Sequence, residues 1–261
     1  NVELNDHESL SMLLELRAVL SSCYLVKGNV QRALSVAKDM PLSALASWEN
    51  VVTLWARASA KEAKGDYSGA LKDSQLASEY CRQIDRPIAE ARLNLMEIQC
   101  LVEMGEVANA LFNKLFEIYS FFASRNLYSD MSETLLLQAQ WLFQVDRFAE
   151  ADACLVEALK LFGGQTSELK IKILCLQSVI ALENGSLEKS KVIAESAESS
   201  LKLQTVTSPS MAAQWKLIGE IFWQLGEKSR AFECMEMATD VLGVRGASKN
   251  RSNRKSANQT A

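Results

Sequence analysis

Trp215-Lys216-Leu217-Ile218-Gly219-Glu220-Ile221-Phe222 runs into Trp223-Gln224-Leu225-Gly226-Glu227-Lys228 and then Ser229-Arg230-Ala231-Phe232-Glu233-Cys234-Met235, and this stretch decides the fold. Its large apolar residues, Trp215, Ile218 and Phe222, recur at helical spacing, as do Ala231 and Met235 after the interruption at Gly226. Gly219 and Ala231 are small, one in each half, so two helices folded back on each other at Gly226 can bring their backbones close. The reading is a helix–turn–helix in which bulky residues fill the space around a small-residue contact.

The same turn recurs upstream. Gly28 precedes Val30 and Ala33, Gly65 precedes Tyr67 and Ala70, Gly105 precedes Val107 and Ala110, and Gly185 precedes Leu187 and Ser190. Asp146 stands in the glycine place before Phe148 and Ala151. Successive turns lie 37 to 41 residues apart, so six helix pairs, or twelve helices, are expected. Glycine reaches the left-handed conformation that ends a helix; aspartate visits it at some cost, so the fourth turn is expected to be strained or differently shaped.

Apolar residues between the turns keep helical period. Leu13, Leu16, Leu20 and Tyr24 are read as the packing face of the first helix, with Asn5 or Asp6 as its N-cap. Breakers separate the pairs at Asp39-Met40-Pro41, Ile84-Asp85-Arg86-Pro87, Ser124-Arg125-Asn126, Gly163-Gly164-Gln165 and Thr207-Ser208-Pro209-Ser210. The repeats are placed at residues 8–40, 43–84, 87–124, 128–162, 166–203 and 209–242 of one solenoid spanning 1–242. Residues 243–261 hold five Lys or Arg and no acidic or aromatic residue, the composition of a disordered basic tail.

Composition narrows the function. Only 11 Gly and 3 Pro in 261 residues argue against a fold of many short strands, and 48% hydrophobic residues supply a core. A net charge of −4 gives no general attraction to nucleic acid, and no apolar run reaches the ~18 residues that span a bilayer. The six cysteines are scattered without a C-x-x-C pair, as expected of reduced thiols in the cytoplasm or nucleus. His7 is the one histidine, no phosphate-binding glycine motif is present, and no metal-ligand spacing appears, so neither enzyme chemistry nor a cofactor is expected. The chain starts at Asn1 rather than Met, as expected of a segment of a longer protein.

The spacing in 215–235 resembles the tetratricopeptide motif W-x2-L-G-x2-Y…A-x3-F, with the sixth repeat close to it and the other five degenerate. The resemblance implies an all-α, right-handed superhelical solenoid of about six helix pairs whose concave groove is lined by the first helix of each pair. The ~40-residue period, with Ser129–Thr134 and Leu225–Lys228, is similar to helical-repeat subunits of cell-cycle assemblies such as the anaphase-promoting complex.

Groove positions implied by the resemblance lie ten and six residues before each turn. They place Trp55, Leu95, Gln99, Leu136, Gln140 and Lys216 as partner-binding candidates. Members that grip the acidic tail of chaperones carry Lys and Asn at these two places; no repeat here supplies the pair, which argues against that ligand. A mostly apolar or neutral lining suits a helix or extended segment of another protein. In the last pair Phe232, Met235, Met237 and Val241 leave an apolar face with no seventh repeat to cover it. The expected function is a non-enzymatic scaffold within a multiprotein complex; the alternative is a regulatory solenoid of a larger enzyme whose catalytic domain lies elsewhere.

Overall fold

The computed structural model describes residues 6–38, 45–162, 167–204 and 208–241. Among them are twelve helices and no strand. The chain divides into two compact units, Asn1–Leu161 and Phe162–Ala261. The first holds α1 (Asp6–Val26), α2 (Val30–Lys38), α3 (Trp48–Lys64), α4 (Tyr67–Gln83), α5 (Pro87–Glu103), α6 (Asn109–Ala123), α7 (Tyr128–Gln144) and α8 (Phe148–Lys160). The second holds α9 (Glu168–Glu183), α10 (Leu187–Lys202), α11 (Pro209–Gln224) and α12 (Lys228–Val241). Successive odd and even helices pack against each other as six pairs, the all-α repeat expected from the turns. The segments 39–44, 163–166 and 205–207, at expected links, and 243–261, the expected basic tail, lie outside the described residues, as does Asn5.

Each pair is closed by one local bond. Gly28, Gly65, Gly105, Gly185 and Gly226 have φ between 70° and 84°, and Asp146 has φ 59°. The residue after each donates its N–H to the carbonyl five residues back, as in Asn29 to Tyr24 at 2.8 Å, Asp66 to Lys61 at 2.9 Å and Glu227 to Phe222 at 2.9 Å. This is the bond that satisfies a free carbonyl at a helix C-terminus. Arg147 makes it to Leu142 at 2.9 Å, so the Asp146 turn has the same shape as the glycine turns, and only the backbone strain of a non-glycine residue distinguishes it. Asp85 (φ 53°) and Asn126 (φ 56°) end α4 and α6 in the same way, a device the breaker composition alone did not reveal.

Within a pair, the residue seven before the turn meets the residue five after it. Ser21 and Ala33, Ala58 and Ala70, Ala139 and Ala151, and Ser178 and Ser190 are all buried at these places. At the sixth pair a Cβ on Gly219 would stand 3.1 Å from the Ala231 carbonyl oxygen, so the helix backbones nearly touch there.

The third pair departs from the pattern. Its position seven before the turn is Ile98, fully buried and too large for the contact. The chain runs on from Gly105 to Asn109 before α6 begins, and Ala110, expected against the first helix, is exposed. α7 is tied directly to α5 instead, by the Arg92–Asp130 pair at 2.6 and 3.0 Å and by Gln144 Nε2 donating to the Val102 carbonyl at 3.0 Å.

The first helix is also rotated from expectation. Leu14, Ala18 and Ser21 are its buried side, whereas Leu13, Leu16 and Leu20 are exposed. Ser21 Oγ donates to the Ala33 carbonyl at 3.1 Å, which sets the helix roll and turns the leucine stripe outward. Pro87 and Pro209 open α5 and α11, and Ser208 Oγ caps α11 by accepting from Met211 N at 3.1 Å.

Candidate functional site

Residues ten before a turn mostly serve packing. Leu95 and Leu136 are buried, at 5% and 7% exposure. Trp55 is half-buried against the cluster of Val51, Leu54, Ala77, Cys81 and Leu93. Lys216 alone among the six is fully outward, with its Nζ 3.5 Å from Glu220 Oε1.

Residues six before a turn lie nearer the surface. Gln99 is half-buried and donates to Glu103 Oε1 at 2.8 Å. Gln140 is half-buried, but its Oε1 is enclosed without a hydrogen-bond partner, as is the neighbouring Trp141 Nε1. Trp55, Leu95, Gln99, Leu136 and Gln140 belong to the first unit and Lys216 to the second.

A concave feature of the second unit lies between α11 and α12. Gly219, Glu220, Trp223, Gln224, Ala231, Phe232 and Met235 line a cavity of about 360 Å³. The Trp223 and Phe232 rings meet edge to face with centroids 5.8 Å apart, and Lys228 Nζ lies 5.7 Å from the Trp223 centroid. Phe232 is 62% exposed, Trp223 and Met237 are also exposed, and Met235 and Val241 are half-buried. Sequence reasoning missed Trp223; its one signal is a place three residues before the turn, on the side of the helix that carries Gly219.

Several ionisable groups are shifted by burial or by ion pairs. Burial pushes the Cys175 and Cys100 thiols up to about 12, and Cys81, Cys154 and Cys234 to about 11. All six cysteines are free, and Cys23 is exposed. Burial also raises the Glu97 carboxyl above its ordinary value, opposed by Lys114 at 3.6 Å. Glu198 is desolvated too, yet hydrogen bonds from Lys202 and Arg230 bring its carboxyl below the usual range. Among the described residues no group of three or more His, Cys, Asp or Glu side chains could hold a metal ion, and no helix is long and apolar enough to cross a membrane. The side chain of His7 lies outside the described residues.

No protein-family model matches the chain, and no curated protein sequence matches it. Solved structures do match. A Rap protein complexed with competence and sporulation factor superposes with a TM-score of 0.74 at 12% identity, over 93% of this chain and 67% of that one. The APC/C hetero-tetramer Cut9–Hcn1 gives a TM-score of 0.58 at 13% identity, over 86% of this chain and 39% of that one. The TPR-like repeats of a kinesin light chain from Podosopora anserina give 0.52 at 12% identity, over 73% and 93% of the two chains. With these neighbours, twelve helices in six pairs and the 215–235 motif, the chain resembles the tetratricopeptide superfamily in fold.

Proposed function

We propose that the chain is a non-enzymatic scaffold that binds other proteins, as a subunit of a multiprotein assembly of the cell-cycle, ubiquitin-ligase type. The observation that carries this reading is the likeness in fold to proteins crystallised with a partner: Rap with competence and sporulation factor, and Cut9 with Hcn1 in the APC/C. The first-helix side of the first unit supports it. There Trp55, Gln99 and Gln140 keep partial exposure above buried Leu95 and Leu136, a neutral surface suited to a helix or extended segment. Lys216 adds an exposed cation on the second unit. Gln side chains at this spacing give hydrogen-bonding groups without fixed charge, which favours a peptide backbone over an acidic tail.

The test is purification of the tagged full chain from its native cells, followed by native mass spectrometry. A defined stoichiometric assembly is expected. The Gln99→Arg chain is expected to lose at least ~10-fold in co-purified partner while its thermal melt is unchanged. Purification of the wild-type chain as a lone protein would defeat the scaffold reading. An assembly indifferent to Gln99→Arg would defeat only the assignment of the surface.

A further inference from the structure

Two faces are open at repeat positions that are closed elsewhere in the chain. The residues twelve and nine before a turn lie on the side of a first helix that meets the pair before it. Leu93 holds the first of these places in α5 and is buried among Val51, Leu54, Ala77 and Cys81 of the preceding pair. Ala56 holds the second in α3 and packs on Leu14, Ala18 and Ala37. In α1 the same two places are Leu16 and Val19, exposed at 57% and 60%. Cys23, five before the turn, is exposed where Ala60, Cys100 and Ile221 are buried.

On the last pair, a place that a following pair would adjoin is open. The residue six after a turn is half-buried in α2, α4 and α10, where it is Leu34, Leu71 and Lys191. In each of those pairs a following first helix packs against it or its partner helix. In α12 the same place is Phe232, exposed, beside Trp223 and Met235 at the cavity between α11 and α12. A repeat pair left without a neighbour is expected to carry a polar outer face; α1 and α12 instead expose Leu16, Val19 and Phe232.

The charges keep the same register. Arg230, four residues after its turn, reaches back from α12 to Glu195 and Glu198 of α10. Arg32 also stands four residues after a turn, on α2, and Glu236 occupies in α12 the place that Glu195 holds in α10. We propose that α1 and α2 of one copy dock on α11 and α12 of a second copy as the next pair of the array. In this register Val19 meets Met235 as Ala56 meets Ala37, and Leu16 lies over Trp215 and Ala238 as Leu93 lies over Leu54 and Ala77. Phe232 stands against Asn29 as Lys191 stands against Glu227, and Arg32 faces Glu236 as Arg230 faces Glu195. A second copy is the occupant because the two faces are apolar, share the repeat register and carry opposite charges at matching places. Such a contact is heterologous: two joined copies still present one open face of each kind, so growth continues past the dimer.

Sedimentation velocity of the full chain over a ~100-fold concentration range tests this. The wild-type mass is expected to climb beyond that of a dimer. Val19→Glu and Phe232→Glu each remove one exposed side chain and one face, so each variant alone is expected to be monomeric with an unchanged circular dichroism melt. Mixed in equal amounts, they are expected to form a dimer that grows no further, since one intact face of each kind remains. A wild-type chain that stays monomeric overturns the proposal. So does a mixture that stays monomeric, and so does self-association by Phe232→Glu alone, which would mean that α1 pairs with α1.

Discussion

Ser178 and Ser190 lock the fifth pair by exchanging hydrogen bonds: Ser178 Oγ donates to the Ser190 carbonyl at 2.8 Å and Ser190 Oγ donates to the Ser178 carbonyl at 2.9 Å. Both side chains are buried, at the places seven before and five after the turn. Two small hydroxyls let α9 and α10 approach and at the same time satisfy each other. Ser178→Ala is expected to cost about 1 kcal/mol, the net worth of a buried hydrogen bond. Ser178→Leu forces the helices apart and is expected to cost about 3 kcal/mol. Urea unfolding followed by circular dichroism distinguishes the two.

Glycines in this chain resist substitution for two different reasons. Gly226 has φ 82° with open space where an added Cβ would stand, so Gly226→Ala is expected to cost about 1–2 kcal/mol from backbone conformation alone. At Gly219 the new Cβ would meet the Ala231 carbonyl at 3.1 Å and Cys234 Cβ at 3.2 Å. Helix propensity favours Ala there by about 1 kcal/mol, so the sign depends on whether α12 yields. With a backbone carbonyl as the obstacle, Gly219→Ala is expected to lower the melting temperature and Gly219→Val to lower it much further. A stabilised Gly219→Ala chain would show that the two helices are not closely held.

Asp146 is the one helix-pair turn without glycine, and it adopts φ 59° all the same. Asp146→Gly is expected to gain about 1 kcal/mol by relieving the left-handed conformation. Asp146→Ala keeps the strain and is expected to show no gain. Thermal melts of the three chains make the comparison.

Glu97 and Glu198 are expected to respond to pH in opposite senses. The Glu198 carboxyl sits below the ordinary value, so its contribution is present above the unfolded value of about 4.3 and is lost as pH falls through its lower folded value. Glu198→Gln is expected to weaken the chain at neutral pH and to flatten that acid decline. The Glu97 carboxyl sits above the ordinary value, so holding it ionised opposes folding once the pH has risen through its folded value. Glu97→Gln is expected to stabilise at neutral pH, with the advantage vanishing near pH ~4. Stability measured in urea across this range checks both signs.

Thiol reactivity follows exposure. Cys81, Cys100, Cys175 and Cys234 are buried, with their thiols pushed up to about 11 or 12, and Cys23 is exposed. A limiting amount of maleimide at neutral pH is expected to modify Cys23 first, as read by peptide mapping. Early labelling of Cys175 would show that α9 opens readily.

The turns were legible because they are local. Gly28, Gly65, Gly105, Gly185, Gly226 and even Asp146 announce themselves by a conformation that few residue types tolerate, and the helices between them follow from spacing. The candidate site was legible only in part: Gln99 and Leu95 sit four residues apart on one helix, and nothing in their spacing says that the leucine is enclosed while the amide reaches the surface. In α1 the stripe of Leu13, Leu16 and Leu20 and the stripe of Leu14, Ala18 and Ser21 both keep helical period, and the Ser21–Ala33 contact selects the second.

Sequence by itself therefore determined the class of fold and the place of the six turns inside the helix pairs, since each depends on the backbone freedom and polarity of a few neighbouring residues. Tertiary structure decided the roll of α1, the displacement of α6 by Ile98, the division at Leu161 and the open cavity beneath Trp223 and Phe232. Those depend on which distant side chains compete for the same volume, and close packing settles that competition only once both helices are in place.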